Sequence, residues 1–140
     1  MRRLLLRAGL ALALLVLVLG VSAALARVWY ERRFAEFTPM TRAFLERAVA
    51  RDSVGLAALA ADPEPVEIIL RYRDTQPGIL QQSLRGLRSA GGARTGDSVW
   101  VWYASEADWC AGFAGQTNLQ VQFVRVRGAW RVRYAGPGIC

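Results

Sequence analysis

Histidine and lysine are absent from this chain, and cysteine occurs only twice. With no histidine and only Cys110 and Cys140 as thiols, a four-ligand zinc site lacks donors, and no metal or other cofactor is expected. Nucleophilic catalysis loses its usual base. The glycine-rich stretch GGARTGD at 91–97 has no lysine and no strand-to-helix setting, so it does not read as a phosphate loop. No cysteine directly follows the apolar N-terminal run, which leaves a lipoprotein anchor unsupported. Carboxylates are scarce in the second half: beyond Asp74 there are only Asp97, Glu106 and Asp108. Alternating acids such as Glu106 and Asp108 in a turn read as solvated. No catalytic residue is expected.

All the positive charge that remains sits on arginine, and the formal net charge is +7. Its distribution matters more than its size. Arg2, Arg3 and Arg7 precede 19 residues without a charge, AGLALALLVLVLGVSAALA at 8–26. As a helix that run spans roughly 28 Å, close to the hydrocarbon thickness of a bilayer. Two readings compete. In one, residues 1–26 are a cleavable signal peptide with Ala24-Leu25-Ala26 as its processing site. In the other, they are a single-pass membrane anchor, and Trp29 and Tyr30 form an interfacial aromatic belt. Arg27 directly after the processing site favours the anchor. Either way the membrane is a partner, and the domain lies outside the cytoplasm. Residues 27–37 then read as a juxtamembrane linker or a continuation of the helix.

Cys110 and Cys140 both lie beyond the membrane segment. An even cysteine count in an exported domain predicts a disulfide. It would close a loop of about 30 residues and contribute roughly 3.5 kcal/mol through the unfolded chain's entropy.

Helical patterns come first in the remainder. Thr38-Pro39 reads as an N-cap and first turn, and Phe44, Leu45, Ala48 and Val49 share a face. Asp52-Ser53 caps a shorter helix. VEIILRYRD at 66–74, whose β-branched content leaves a strand reading open, and ILQQSLRGL at 79–87 follow, separated by the turn Gln76-Pro77-Gly78. The period then changes. GGARTGD reads as a turn region. SVWVWYAS at 98–105 alternates with both faces apolar, which predicts a strand covered on both sides. A polar connection over 104–118 leads to a hairpin, LQVQFVRVR and AWRVRYA. Helices before antiparallel strands predict an α+β domain over 38–140, with helices packed on one sheet face.

The hairpin holds Arg125, Arg127, Arg131 and Arg133. A three-residue loop, Arg127-Gly128-Ala129, pairs Val126 with Trp130 and Val124 with Val132. It gathers Val124, Val126, Trp130, Val132 and Tyr134 on one face and sets Arg125, Arg131 and Arg133 as a basic row on the other. The upstream parity of Leu119, Val121 and Phe123 calls for a bulge near Phe123 or an outer face that is partly apolar and covered. Aromatics separated from arginines in this way do not make a nucleic-acid platform, and no nucleic-acid partner is expected.

Two segments, MTRAFLERAVARDSVGLAALAA at 40–61 and VQFVRVRGAWRVRYAG at 121–136, resemble the opening helices and closing strand pair of the nuclear transport factor 2-like (cystatin-like) superfamily. The resemblance implies a curved antiparallel sheet wrapped around a long helix, enclosing a conical pocket. It also implies a bacterial exported protein, since many such proteins carry one of these domains behind a membrane segment. Family enzymes place Asp, His or Tyr in the pocket. No residue here matches those positions, and none is carried over. The expected function is therefore a non-enzymatic, membrane-tethered or secreted binding or accessory domain of the cell envelope, taking a small apolar ligand or a protein partner. The alternative is a small isomerase- or cyclase-type enzyme using Tyr103 or Asp108. Trp100, Trp102, Tyr103, Trp130 and Tyr134 are the pocket or interface candidates, and a homodimer through the sheet face is one form of the partner reading.

Overall fold

The computed structural model describes residues 2–109 and 119–138. Cys110 and Cys140, and with them the expected disulfide, lie outside the described residues, as does most of the 104–118 connection.

Helix α1 (Arg2–Phe34) carries the apolar run and continues without a break through Arg27 to Phe34. It is long and apolar enough to be a membrane span or signal. Among the described residues nothing covers it: Leu12, Leu17 and Leu25 stand about two-thirds exposed. Its last turn behaves differently. Phe34 is 3% exposed, and the Ser89 hydroxyl donates to the Glu31 carbonyl at 2.7 Å. The end of α1 is thus part of the domain, and a 3-10 turn (Ala35–Phe37) leads directly into α2 (Thr38–Val49).

Helix α2 buries Thr41, Phe44, Leu45 and Ala48, a stripe at three- and four-residue spacing. Pro39 sits in its first turn, but Thr38 is already helical and makes no capping bond, a correction to its expected N-cap role. Asp52 caps α3 (Ser53–Leu59), accepting from the Gly55 N–H at 2.9 Å. Helices α4 (Glu64–Thr75) and α5 (Ile79–Leu84) follow, with Gly78 at φ 85° turning the chain between them.

Four strands form one antiparallel sheet in chain order: β1 (Arg88–Thr95), β2 (Ser98–Ala104), β3 (Leu119–Val126) and β4 (Ala129–Pro137). The architecture is α+β, with an open sheet and helices on one face. Strand β1 corrects the expectation of a turn over 91–97. Only Gly96-Asp97 turns, and GGART pairs with β2. The glycine is there for a neighbour. At Gly92 a Cβ would meet the Trp100 carbonyl and come within 2.9 Å of the Phe34 ring. A bare backbone lets α1 lie on β1.

The hairpin also departs from its expected register. Val126 pairs with Ala129, Arg125 with Trp130 and Val124 with Arg131, around a two-residue loop. Arg127 (φ 50°) and Gly128 (φ 82°) both lie in the left-handed region, as a type I′ turn requires. A three-residue loop would keep the valines together on one face, but it does not form. Parity is restored by the bulge that the upstream pattern called for near Phe123: the ladder shifts between Gln122 and Phe123, and Arg133 is left out of the pairing. Leu119, Val121, Phe123, Val132 and Ala135 are thereby buried, while Val126 is exposed and Val124 only half-buried. The free edge of β4 is closed by Ala60-Ala61, with the Ala61 N–H donating to the Val132 carbonyl at 2.7 Å.

Candidate functional site

The two faces of the sheet differ in what they could bind. On the helix side, Val99, Val101, Tyr103, Val121, Phe123 and Val132 are closed over by Phe44, Leu45, Leu56, Ile69 and Leu80, all at most 1% exposed. Trp109 fills the same interior near α4 and α5. Its indole N–H donates to the Ser83 hydroxyl at 2.8 Å, and its ring meets Tyr72 edge-on at 5.2 Å. Every buried polar side-chain atom among the described residues has a partner.

Tyr103 therefore sits in packed core. Its hydroxyl accepts from the Thr41 hydroxyl at 2.9 Å. Burial pushes its pKa up to about 12, and hydrogen bonds from Thr41 and Thr38 offset only part of that. It stays protonated at ordinary pH and meets hydroxyl groups, the wrong setting for an acid–base residue. Trp130 lies at the rim of this same face. Phe37 packs on it edge-on at 5.3 Å, and the guanidiniums of Arg125 and Arg94 lie over its ring at 4.9 and 5.4 Å.

The basic row is divided in the same way. Arg125 is the cross-strand neighbour of Trp130. Arg131 donates to the Ala58 carbonyl near the end of α3, and Arg133 pairs with Asp62 at 3.0 Å. The α3–α4 corner, far off in sequence, supplies both acceptors. Arg125, Arg131 and Arg133 thus do not form one surface. Arg125 and Arg131, which a three-residue loop would set directly opposite one another, pair instead with Trp130 and Val124.

The outer face holds the remaining candidates. Trp100, Gln122 and Tyr134 are lateral neighbours, and the Trp100 and Tyr134 rings lie 5.9 Å apart. Trp102 is the next outward residue on β2 and is 38% exposed. Tyr134 is fixed by donating to the Pro137 carbonyl at 2.9 Å, and Gln122 by donating to the Ser98 hydroxyl at 3.0 Å. Partial burial pushes the Tyr134 pKa up, with Tyr72 adding to the shift. By the described residues, the strand expected to be covered on both sides is covered on one. Among the described residues, the other side carries a half-exposed aromatic strip framed by glutamines.

Of the five aromatic candidates, the structure brings Trp100, Trp102 and Tyr134 onto the outer face and sends Tyr103 and Trp130 to the core side. Sequence reasoning missed Trp109 and Phe34 as core residues. The apolar alternation in VWVWY was the signal for the outer strip. No family model, curated protein or solved structure matches this chain.

Proposed function

We propose that this chain is a non-enzymatic accessory domain of a bacterial cell envelope, tethered to the membrane by α1, which binds a protein partner through the outer face of its sheet. The contrast between the two faces carries the reading. Among the described residues the helix-side face is buried, with Tyr103 unexposed and bonded to Thr41, while the opposite face presents Trp100, Trp102 and Tyr134 partly uncovered. Rigid aromatics flanked by amides, with no charge among them, have the composition of an interface centre. The resemblance to nuclear transport factor 2-like domains supports the same function class, since many of them are binding or accessory modules.

The first partner to test is a second copy of the chain. Sedimentation of the full chain in detergent gives the oligomer mass. The expected result is a dimer that Trp102→Glu converts to a monomer without changing near-ultraviolet circular dichroism. A strict monomer at high concentration rules out the homodimer. An oligomer indifferent to Trp102→Glu removes the outer face from the interface.

A further inference from the structure

A second surface lies where the membrane helix meets the domain. The end of α1, the start of α2 and the start of β1 enclose an open groove of about 550 Å³. Its apolar wall includes Val28, Pro39 and Leu87, and its rim carries Arg32, Arg42 and Arg88. Glu31 also lines it, but that carboxylate is paired with Arg27 at 3.0 Å. Arg42 makes one long bond, 3.4 Å, to the Leu84 carbonyl. Arg32 and Arg88 are exposed, and their side chains make no hydrogen bond or ion pair among the described residues. Three arginines thus converge on an apolar groove whose one carboxylate is already neutralised.

Its position decides what it meets. Arg32 lies six residues beyond the apolar run that ends at Ala26. At about 1.5 Å per residue that is about 9 Å along the helix, close to the depth of the headgroup layer. The helix is continuous from the span into the groove wall, and Phe34 and Ser89 fix it to β1. The groove is therefore held at the bilayer surface instead of swinging on a linker. Trp29 and Tyr30, about half exposed, lie in the same layer.

We propose that this groove takes the headgroup of an anionic phospholipid from the membrane that holds α1. Arg32, Arg42 and Arg88 receive the phosphate, and Val28, Pro39 and Leu87 face the glycerol and upper acyl chain. The proposal rests on the membrane-tether reading. It is independent of the sheet-face interface.

The test uses the full chain in detergent with equal amounts of phosphatidylglycerol and phosphatidylcholine, and retained lipid is read by native mass spectrometry. Phosphatidylglycerol is expected to be retained in preference. Arg32→Gln and Arg88→Gln should each lower that preference about fivefold, the effect of one basic residue at an anionic surface. Neither side chain has a partner to lose among the described residues, and Arg125→Gln serves as the distant control. Equal retention of the two lipids overturns the proposal, as does a preference that survives Arg32→Gln/Arg88→Gln. Displacement of the lipid by soluble glycerol 3-phosphate also overturns it, assigning the groove to a free phosphate ester. Alkaline extraction of membranes reads the tether alone. Release of the chain overturns both readings, whereas retention without lipid preference overturns only this one.

Discussion

Replacing Phe34 by alanine asks whether the end of α1 is part of the domain or a tether hung from it. The ring is 3% exposed, in the space that Gly92 leaves open between α1 and β1. Truncating a buried phenylalanine costs about 3–5 kcal/mol. Phe34 sits where a helix leaves the domain, so water can enter part of the vacated space, and the low end, about 3 kcal/mol, applies. For a domain of about a hundred residues each 1 kcal/mol lowers Tm by about 4 °C or more, so Phe34→Ala should lower it by at least about 12 °C. The assay is thermal unfolding of the full chain in detergent, followed by near-ultraviolet circular dichroism of the core aromatics. A shift below about 2 °C would refute the reasoning, because exposed tether positions change stability by no more than about 0.5 kcal/mol. Gly92→Ala approaches the same contact from the other side. Its Cβ would press on the Phe34 ring and on the Trp100 carbonyl. Phe34→Ala removes the first clash and leaves the second. The double variant should be less stable than either single variant, yet more stable than the sum of their losses implies.

Two further outcomes follow from buried or strained positions. Tyr103 has a folded pKa of about 12 against about 10 unfolded, so the folded state holds that proton more tightly. Its contribution is fully present below about pH 10 and is lost as pH rises toward 12, roughly 2–3 kcal/mol in all. Urea midpoints between pH 8 and pH 11.5 should fall in the native chain and fall less in Tyr103→Phe; parallel curves would count against a buried Tyr103. Arg127 holds φ 50° at the first position of the hairpin turn, where asparagine is better suited. Arg127→Asn should raise Tm by a few degrees, corresponding to about 0.5–1 kcal/mol, and a fall in Tm would refute the two-residue turn.

Periodicity located the helices because their apolar stripes are local. Phe44, Leu45 and Ala48 in α2 announce a buried face without knowledge of what it packs against. The cap at Asp52 and the turn at Gly78 are equally local. Strand β1 was not legible, since its glycines answer to Phe34 and Trp100 and a glycine-rich stretch reads as a turn on its own. The hairpin register failed for a related reason. The parity change makes the bulge near Phe123 legible, but not the loop length: grouping the valines favours a three-residue loop, whereas the chain keeps a tight I′ turn. The aromatic candidates were correctly placed on strand β2 and the hairpin. Their division between core and surface needed the helices, which cover only one side.

The arginines draw these points together. Composition directs attention to 125–133, where four of them fall in nine residues. Three of those four are bound up within the protein: Arg125 on Trp130, Arg131 on the Ala58 carbonyl and Arg133 on Asp62. Of that cluster only Arg127, at the hairpin tip, is left without an internal partner among the described residues, whereas the groove's Arg32 and Arg88 are scattered in sequence and stand out in no window. They share a groove because α1 lies against β1, and α1 lies there because position 92 has no side chain. Filling Gly92 would leave every groove arginine in the chain while removing the close helix–strand contact that brings them together. Charge density along a sequence is thus a poor guide to a binding surface when the fold supplies internal acceptors. Arginines left without such acceptors mark the surface to test.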